Sequence, residues 1–503
     1  MSVGIMAEAV EPSAMYQHFV PQFLLRNFSH PYVDPESKPA KRRKTSKRVG
    51  EKLFHGDAVV HSAALSRNPI ELVEAPVKRI LGQMNMYSDT RQPPPKQHHV
   101  EAMLSQMESR VSTTFRRIVR AFEAGDAGLF LTRKERNDLR KFLFILKYRG
   151  LGYHQRFDQP TPEDYSSDDK ELFLEYISER GFARPIDVWF DNLTAIMELD
   201  MDAAEKWIDK IRKRIYRLDA EMFIQHTQGS YMAICTPENP SDEFIVTDNC
   251  YNVFEGRSSF AADATTGEVD TISFTSLHEF APISPKLMLV LRSFMFPIPE
   301  EDAHPTIKEF RELCRTAAVD NIFGPETLQN SLLYRLPVRK AQNSYSTFVN
   351  GKTTLIEGED GIHTPRDRFC FRFFPIAREY IYKINGIFID NATTCTNAVF
   401  ASRENFLRSL EWYMTANPDT IGKHVGVTDG RQRLQLLKKI DTLMKAMGSD
   451  RTSVWDESPV EFLYHRDFDR SWYTHLIREL HRFEDDPSQP LNPFMAAYTI
   501  LGM

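Results

Sequence analysis

A switch in hydrophobic period near residue 230 divides this chain. Upstream, apolar residues recur every three or four places, the spacing of one helix face. Val100, Met103, Leu104, Met107, Val111, Phe115, Ile118, Val119 and Phe122 form one such stripe, which predicts a helix over 98–124 with Gly125 as its stop. Thr132 and Glu135 stand in capping-box spacing ahead of a second stripe, Leu139, Phe142, Leu143 and Leu146, that runs toward Gly150. Further helices are predicted over 170–181, 186–199 and 202–226, the last opened by Asp202 and Glu205. Downstream, SYMAICT (230–236), EFIVT (243–247), TISFTSL (271–277) and KLMLVLR (286–292) are short strand-forming runs between turns. Pro282 and Pro285 predict a kink before the last of them.

Helices first and strands after predict an α+β fold. It is expected to be predominantly helical, with a helical layer packed on a small, mainly antiparallel sheet from 230–292. Helix returns over 305–335 and 395–414; 340–366 is loop-like, and 369–374 and 379–384 fit either strand or helix. Past a loop at 417–430, helices near 430–447, 471–483 and 491–501 form a C-terminal helical extension, 426–503. Residues 1–15 are expected to be disordered and 16–425 to form the core domain. That core carries a disordered basic insertion over 31–50, where Lys41, Arg42, Arg43, Lys44, Lys47 and Arg48 fill six of eight places.

Charge and cysteine usage restrict function. A net charge of -6 supplies no general attraction for nucleic acid, so any such contact must use a local patch. The five cysteines, Cys235, Cys250, Cys314, Cys370 and Cys395, are dispersed and read as free thiols of a reducing compartment. No secretory leader is visible at the N-terminus. No apolar run approaches the ~20 residues of a membrane helix, so no membrane partner is expected. The address is then nucleus or cytoplasm, and the 41–48 run reads as a nuclear-import signal for an import receptor. A second basic island, Lys206, Lys210, Arg212, Lys213, Arg214 and Arg217, reads as a solvated helix face or a phosphate contact.

HFVPQFLLRNF, from His18 to Phe28, resembles the opening signature of domain of unknown function family 4238, roughly His-x-Val-Pro-x-x-x-Leu-x-x-Phe. His18, Val20, Pro21, Leu25 and Phe28 match. The resemblance extends in order to a helical glutamate at Glu108 and a helix-ending arginine at Arg149. It continues through a Ser-Asp-Asn-Pro loop at Thr247, Asp248, Asn249 and Cys250, and a Leu-Ser-Pro element at Ile283, Ser284 and Pro285. An Asn-x-x-x-Ala helix fits Asn397 and Ala401. Cys250 and Thr247 depart from the pattern, which implies a differently shaped loop there. The resemblance brings no established biochemistry with it.

The side chains themselves outline a candidate site. Glu108 and Arg149 each border an apolar stripe, and a charge so placed needs a partner when buried. His18 adds a group that titrates near neutrality. Asp248 and Asn249 follow a strand, where loops carry function, with Asn249 as a ligand contact. No His/Cys spacing resembles a zinc site, so no metal is expected; the sequence leaves the cofactor unknown. Cys250 reads as a buried, inert thiol. No phosphate loop, dinucleotide fingerprint, zinc-protease helix or nucleophile elbow occurs. Two readings remain. One is a ligand-binding or regulatory protein whose polar cluster meets an anionic partner or merely stabilises the core as a Glu108–Arg149 ion pair. The other is a hydrolase of phosphoesters or nucleic acid, with His18 as acid or base, Glu108 and Asp248 as acids and Arg149 as anion clamp.

Overall fold

A computed structural model describes residues 15–34, 53–93, 96–167, 169–256, 258–262, 269–320, 323–349, 352–421, 423, 425 and 430–457. The basic run of Lys41 to Arg48 and the helices expected over 471–483 and 491–501 lie outside the described residues. The fold is α+β. No helix among the described residues is long and apolar enough to cross a membrane.

The helical half forms as its periodicity predicts. The first long helix is His99–Glu123, and Gly125 beyond it takes φ +79°. Thr132 caps Arg133–Tyr148 in a reciprocal capping box with Glu135. Phe115 and Leu143 are each 2% exposed, and the Phe115 and Phe142 rings sit 6.1 Å apart. Arg149 is the C-cap, and Gly150 opens a further short helix, Leu151–Phe157, that the sequence did not announce. Lys170–Arg180 and Pro185–Glu198 follow.

The helix expected over 202–226 is two, Trp207–Arg214 and Arg217–Gln228, broken at Ile215 and Tyr216. The break turns Tyr216 inward, where its hydroxyl donates to the buried Asp169 carboxylate at 2.8 Å. A hydrogen bond to a charged group is worth about 1.5–3 kcal/mol, which offsets part of the helical bonding given up at the break. Asp202 does not cap a helix; its Oδ1 accepts from the Ala204 and Lys206 amides around Glu205, which has φ +59°. Three of the six cations of the basic island have carboxylate partners. Arg212 and Arg217 both pair with Glu221, and Arg214 with Asp191.

Two main sheets follow. The larger runs Gln342–Asn343, Arg368–Ile376, Ser230–Pro237, Leu287–Ser293, His278–Ser284, Phe254–Glu255, with Gly128–Thr132 also paired to Arg368–Ile376. It is antiparallel except between Arg368–Ile376 and Ser230–Pro237. It therefore recruits strands from well outside 230–292. APISP does not merely kink: it belongs to the His278–Ser284 strand, whose register shifts between Pro282 and Ser284. Proline has no N–H for the ladder, so the irregularity falls there.

The five-stranded sheet pairs His30–Pro31, Asn397–Phe400 and Glu71–Pro76 with Ala58–Ala64, and Val246–Thr247 with Asn397–Phe400. The helix expected from 395 thus begins only at Arg403, after a strand. Asn397 is on that strand and Ala401 lies before the helix, so neither is helical. Helix beyond 305 ends its α-helical run at Arg315, and within the expected loop Ser346–Val349 pairs antiparallel with Lys352–Leu355. One core cluster joins the helices to both sheets, and the C-terminal Gly430–Ala446 helix adds Leu436, Leu437, Ile440, Leu443 and Met444 to it.

Candidate functional site

The His18-to-Phe28 motif is pinned from several directions. Tyr16–His18 pairs antiparallel with Gly82–Met84. Any Cβ on Gly82 would fall 2.5 Å from the Gln17 carbonyl, so this pairing needs glycine. The buried Gln17 side chain accepts from the Tyr87 amide at 2.7 Å, and Leu81 O accepts from Phe19 and Val20. Pro21 then starts the short helix Gln22–Leu25, which buries Leu24 and Leu25, and Asn27 donates to Ile283 O at 2.8 Å.

Arg149 anchors the same segment from the helical side. Its Nε donates to Phe19 O at 3.2 Å and its Nη2 to Glu108 Oε1 at 2.8 Å. Its guanidinium lies over the Tyr87 ring, 5.9 Å from the centroid. Burial works against the charge of Arg149, but Tyr87, Glu108 and Glu101 around it keep its pKa raised. Burial and the Glu108 charge raise the Glu101 carboxyl, and Arg149 opposes them.

His18 belongs to this cluster. Burial lowers its imidazole pKa, Arg149 adds to that, and the Val77 carbonyl and Glu108 oppose it. Its Nε2 is 3.1 Å from Val77 O, an acceptor, so Nε2 carries the proton. Nδ1 is left to accept from Gln22 Nε2 at 3.5 Å. Both ring nitrogens therefore have protein partners.

Asp248 is held elsewhere. Its Oδ2 accepts from the Thr396 amide at 2.8 Å and from the Thr396 hydroxyl, and its Oδ1 from the Asn397 amide at 2.8 Å. Burial raises its pKa against these hydrogen bonds. Its charge reaches Tyr16, whose ring meets His18 edge-on at 5.1 Å, but both carboxylate oxygens are occupied. Asn249 faces neighbours too: it donates to Asn391 O at 2.6 Å and accepts from Thr247. The structure thus brings His18, Glu108 and Arg149 together, and leaves the Asp248 carboxylate and Asn249 amide serving the Thr396 and Asn391 segments. All five cysteines are free; burial pushes the Cys250 thiol far up, which leaves it unreactive.

Two further clusters escaped the sequence reading because their members come from distant segments. Glu279 binds the Lys147 ammonium at 3.1 Å and His226 Nδ1 at 3.0 Å in the core. His30, His61 and Glu74 meet on the five-stranded sheet, with potential ligand atoms within 4.8 Å of one another. A cavity lined by Leu65, Ile389, Leu410, Leu436 and Ile440 measures about 10 Å³, no larger than a single water requires.

These features define an α+β protein built around a clamped N-terminal signature and a buried arginine paired with a part-exposed glutamate. The family model described as Protein of unknown function (DUF4238) matches residues 16–405, well over half of the chain, and the chain belongs to that family. Comparisons with curated proteins and with solved structures find no match.

Proposed function

We propose that this chain is a ligand-binding or regulatory protein whose contact region is the His18–Glu108–Arg149 cluster. The observation that carries this reading is the asymmetry of the pair. Arg149 is sealed at 1% side-chain exposure, and Glu108 reaches solvent at 27%. The outward charge is therefore acidic, with Glu101 seven residues before Glu108 on the same helix. A cationic group suits that edge better than the anion expected from sequence. The hydrolase alternative draws less support, because His18 has both nitrogens engaged and Asp248 has both oxygens engaged.

A thermal-shift panel on the full chain tests this, since a ligand of the native state raises its apparent stability. A polyamine or basic peptide should raise the Tm of the natural protein and not of Glu108→Gln. Hydrolysis of a phosphodiester, lost in His18→Ala, would instead establish the hydrolase.

For an address that is nucleus or cytoplasm, we propose Lys41, Arg42, Arg43, Lys44, Lys47 and Arg48 as a nuclear-import signal. Changing all six to alanine should abolish nuclear accumulation of a tagged chain; equal nuclear fractions would remove the idea. A predominantly helical layer on the larger sheet remains our architectural reading. The packing of Leu437 and Met444 in the main core favours moving the domain boundary from 426 to beyond 446. Limited proteolysis should then leave a fragment that retains the Gly430–Ala446 helix.

A further inference from the structure

Sheet register sets three metal-binding side chains on one face. His30 stands opposite Val59 on the neighbouring strand. His61 lies two residues after Val59, and positions two apart share a face. Glu74 stands opposite His61 across the next strand pair. Three separate strands therefore present two imidazoles and a carboxylate to one point.

The distances agree with that placement. His30 Nε2 is 2.7 Å from Glu74 Oε1. The His30 and His61 rings lie 4.2 Å apart, inclined by 31°. His61 also stacks with Phe400, 5.8 Å away at 18°. His61 sits on a strand paired on both sides, so its backbone is fixed. Donors around a tetrahedral zinc ion, each about 2.0–2.2 Å from the metal, stand about 3.3 Å from one another. His30 and Glu74 are 34% and 36% exposed, so small side-chain rotations can close on an ion. A surface ion pair accounts for His30 and Glu74 alone. It gives no reason for a second imidazole against the first.

We propose that His30, His61 and Glu74 bind a divalent transition cation of the zinc type, with a fourth coordination position open to water or a ligand. Two imidazole nitrogens and one carboxylate oxygen suit a borderline ion and are a poor set for magnesium or calcium, which take oxygen ligands. Three protein ligands leave the vacancy that closed structural sites lack. The ion would join the two-residue strand His30–Pro31 and the Glu71–Pro76 strand to the strand between them.

The site is distinct from the His18–Glu108–Arg149 cluster, so either assignment can fail alone. The test uses the full chain, stripped with chelator and titrated with zinc chloride by calorimetry. One ion per chain should bind, with binding weakened roughly tenfold or more in His61→Ala and in the His30→Ala/His61→Ala double variant. Magnesium chloride should give no heat. Cobalt(II) should produce the visible absorption of a four-coordinate site in the natural protein and in Glu108→Gln, and lose it in His61→Ala. Circular dichroism of each variant separates lost binding from lost fold; His61→Asn serves if His61→Ala unfolds. Zinc affinity unchanged in a folded double variant, or no zinc bound by the natural chain, overturns the proposal.

Discussion

Arg149 donates to Glu108 across 2.8 Å, and the two ends of this pair live in different solvents. Removing the carboxylate strands a guanidinium that water cannot reach. A fully buried pair broken from one side costs about 3–5 kcal/mol, and the exposure of Glu108 lowers the expectation for Glu108→Ala to about 2–3 kcal/mol. Glu108→Ala and Arg149→Met should be strongly non-additive in a double-mutant cycle. Urea denaturation reads both effects; additive losses would show that the two side chains do not depend on each other.

Asp248 offers a sharper test of role. Its carboxylate ties the Thr396 and Asn397 amides, which have few alternatives once the strand after them is packed. Asp248→Ala should cost about 2–4 kcal/mol, one or two buried donors left unpaired. Asp248→Asn retains an acceptor and should recover part of it. A catalytic Asp248 would give the opposite pattern, with the Tm of Asp248→Asn intact and an activity gone.

The helical half was legible because its stripes and caps are local. Gly125 and the Thr132–Glu135 box mark their helix ends within a few residues. Glu108 and Arg149 were legible as a pair because each borders an apolar stripe that must be buried. Of the five-stranded sheet only Val246–Thr247 was legible, inside the strand expected over 243–247. Its strands are short and come from 30–76, 246–247 and 397–400, so no local period links them. Asn397 in particular is held as strand by Asp248 and by pairing with Ala64, contacts that helix propensity does not encode. The His30, His61 and Glu74 cluster was hidden for the same reason. Metal motifs are recognised by spacing along one element, and here the spacing exists only across strands.

The capping box supplies a local prediction. Thr132 Oγ1 accepts from the Glu135 amide at 3.2 Å, and Glu135 Oε2 accepts from the Thr132 amide at 2.8 Å. Thr132→Ala should cost about 1 kcal/mol, and Thr132→Ser should cost less. Glu135 also pairs with Arg117 of the preceding long helix, so Glu135→Ala should exceed Thr132→Ala. Equal stability of Thr132→Ala and the natural chain would mean that the box contributes nothing beyond solvent.

Glu279 gives the pH dependence. Burial alone would raise its carboxyl, but Lys147 and His226 hold it well below the usual carboxylate range. In the unfolded chain it returns to about 4.3. Between its depressed native value and that figure the unfolded chain binds a proton that the native chain does not. The stability Glu279 contributes is therefore complete above about pH 5 and is lost as pH falls through its native value. Glu279→Gln leaves the Lys147 ammonium, 8% exposed, without its counter-ion, and should cost about 3–5 kcal/mol near neutrality. The gap between natural and variant proteins should then narrow by about 1.4 kcal/mol one pH unit below the unfolded value, since linkage sets that slope. Urea midpoints at about pH 6 and about pH 3.3 measure it. A gap of the same size at both would show that Glu279 does not ionise differently in the two states, and that the Lys147–Glu279–His226 triad is not the acid-sensitive contact.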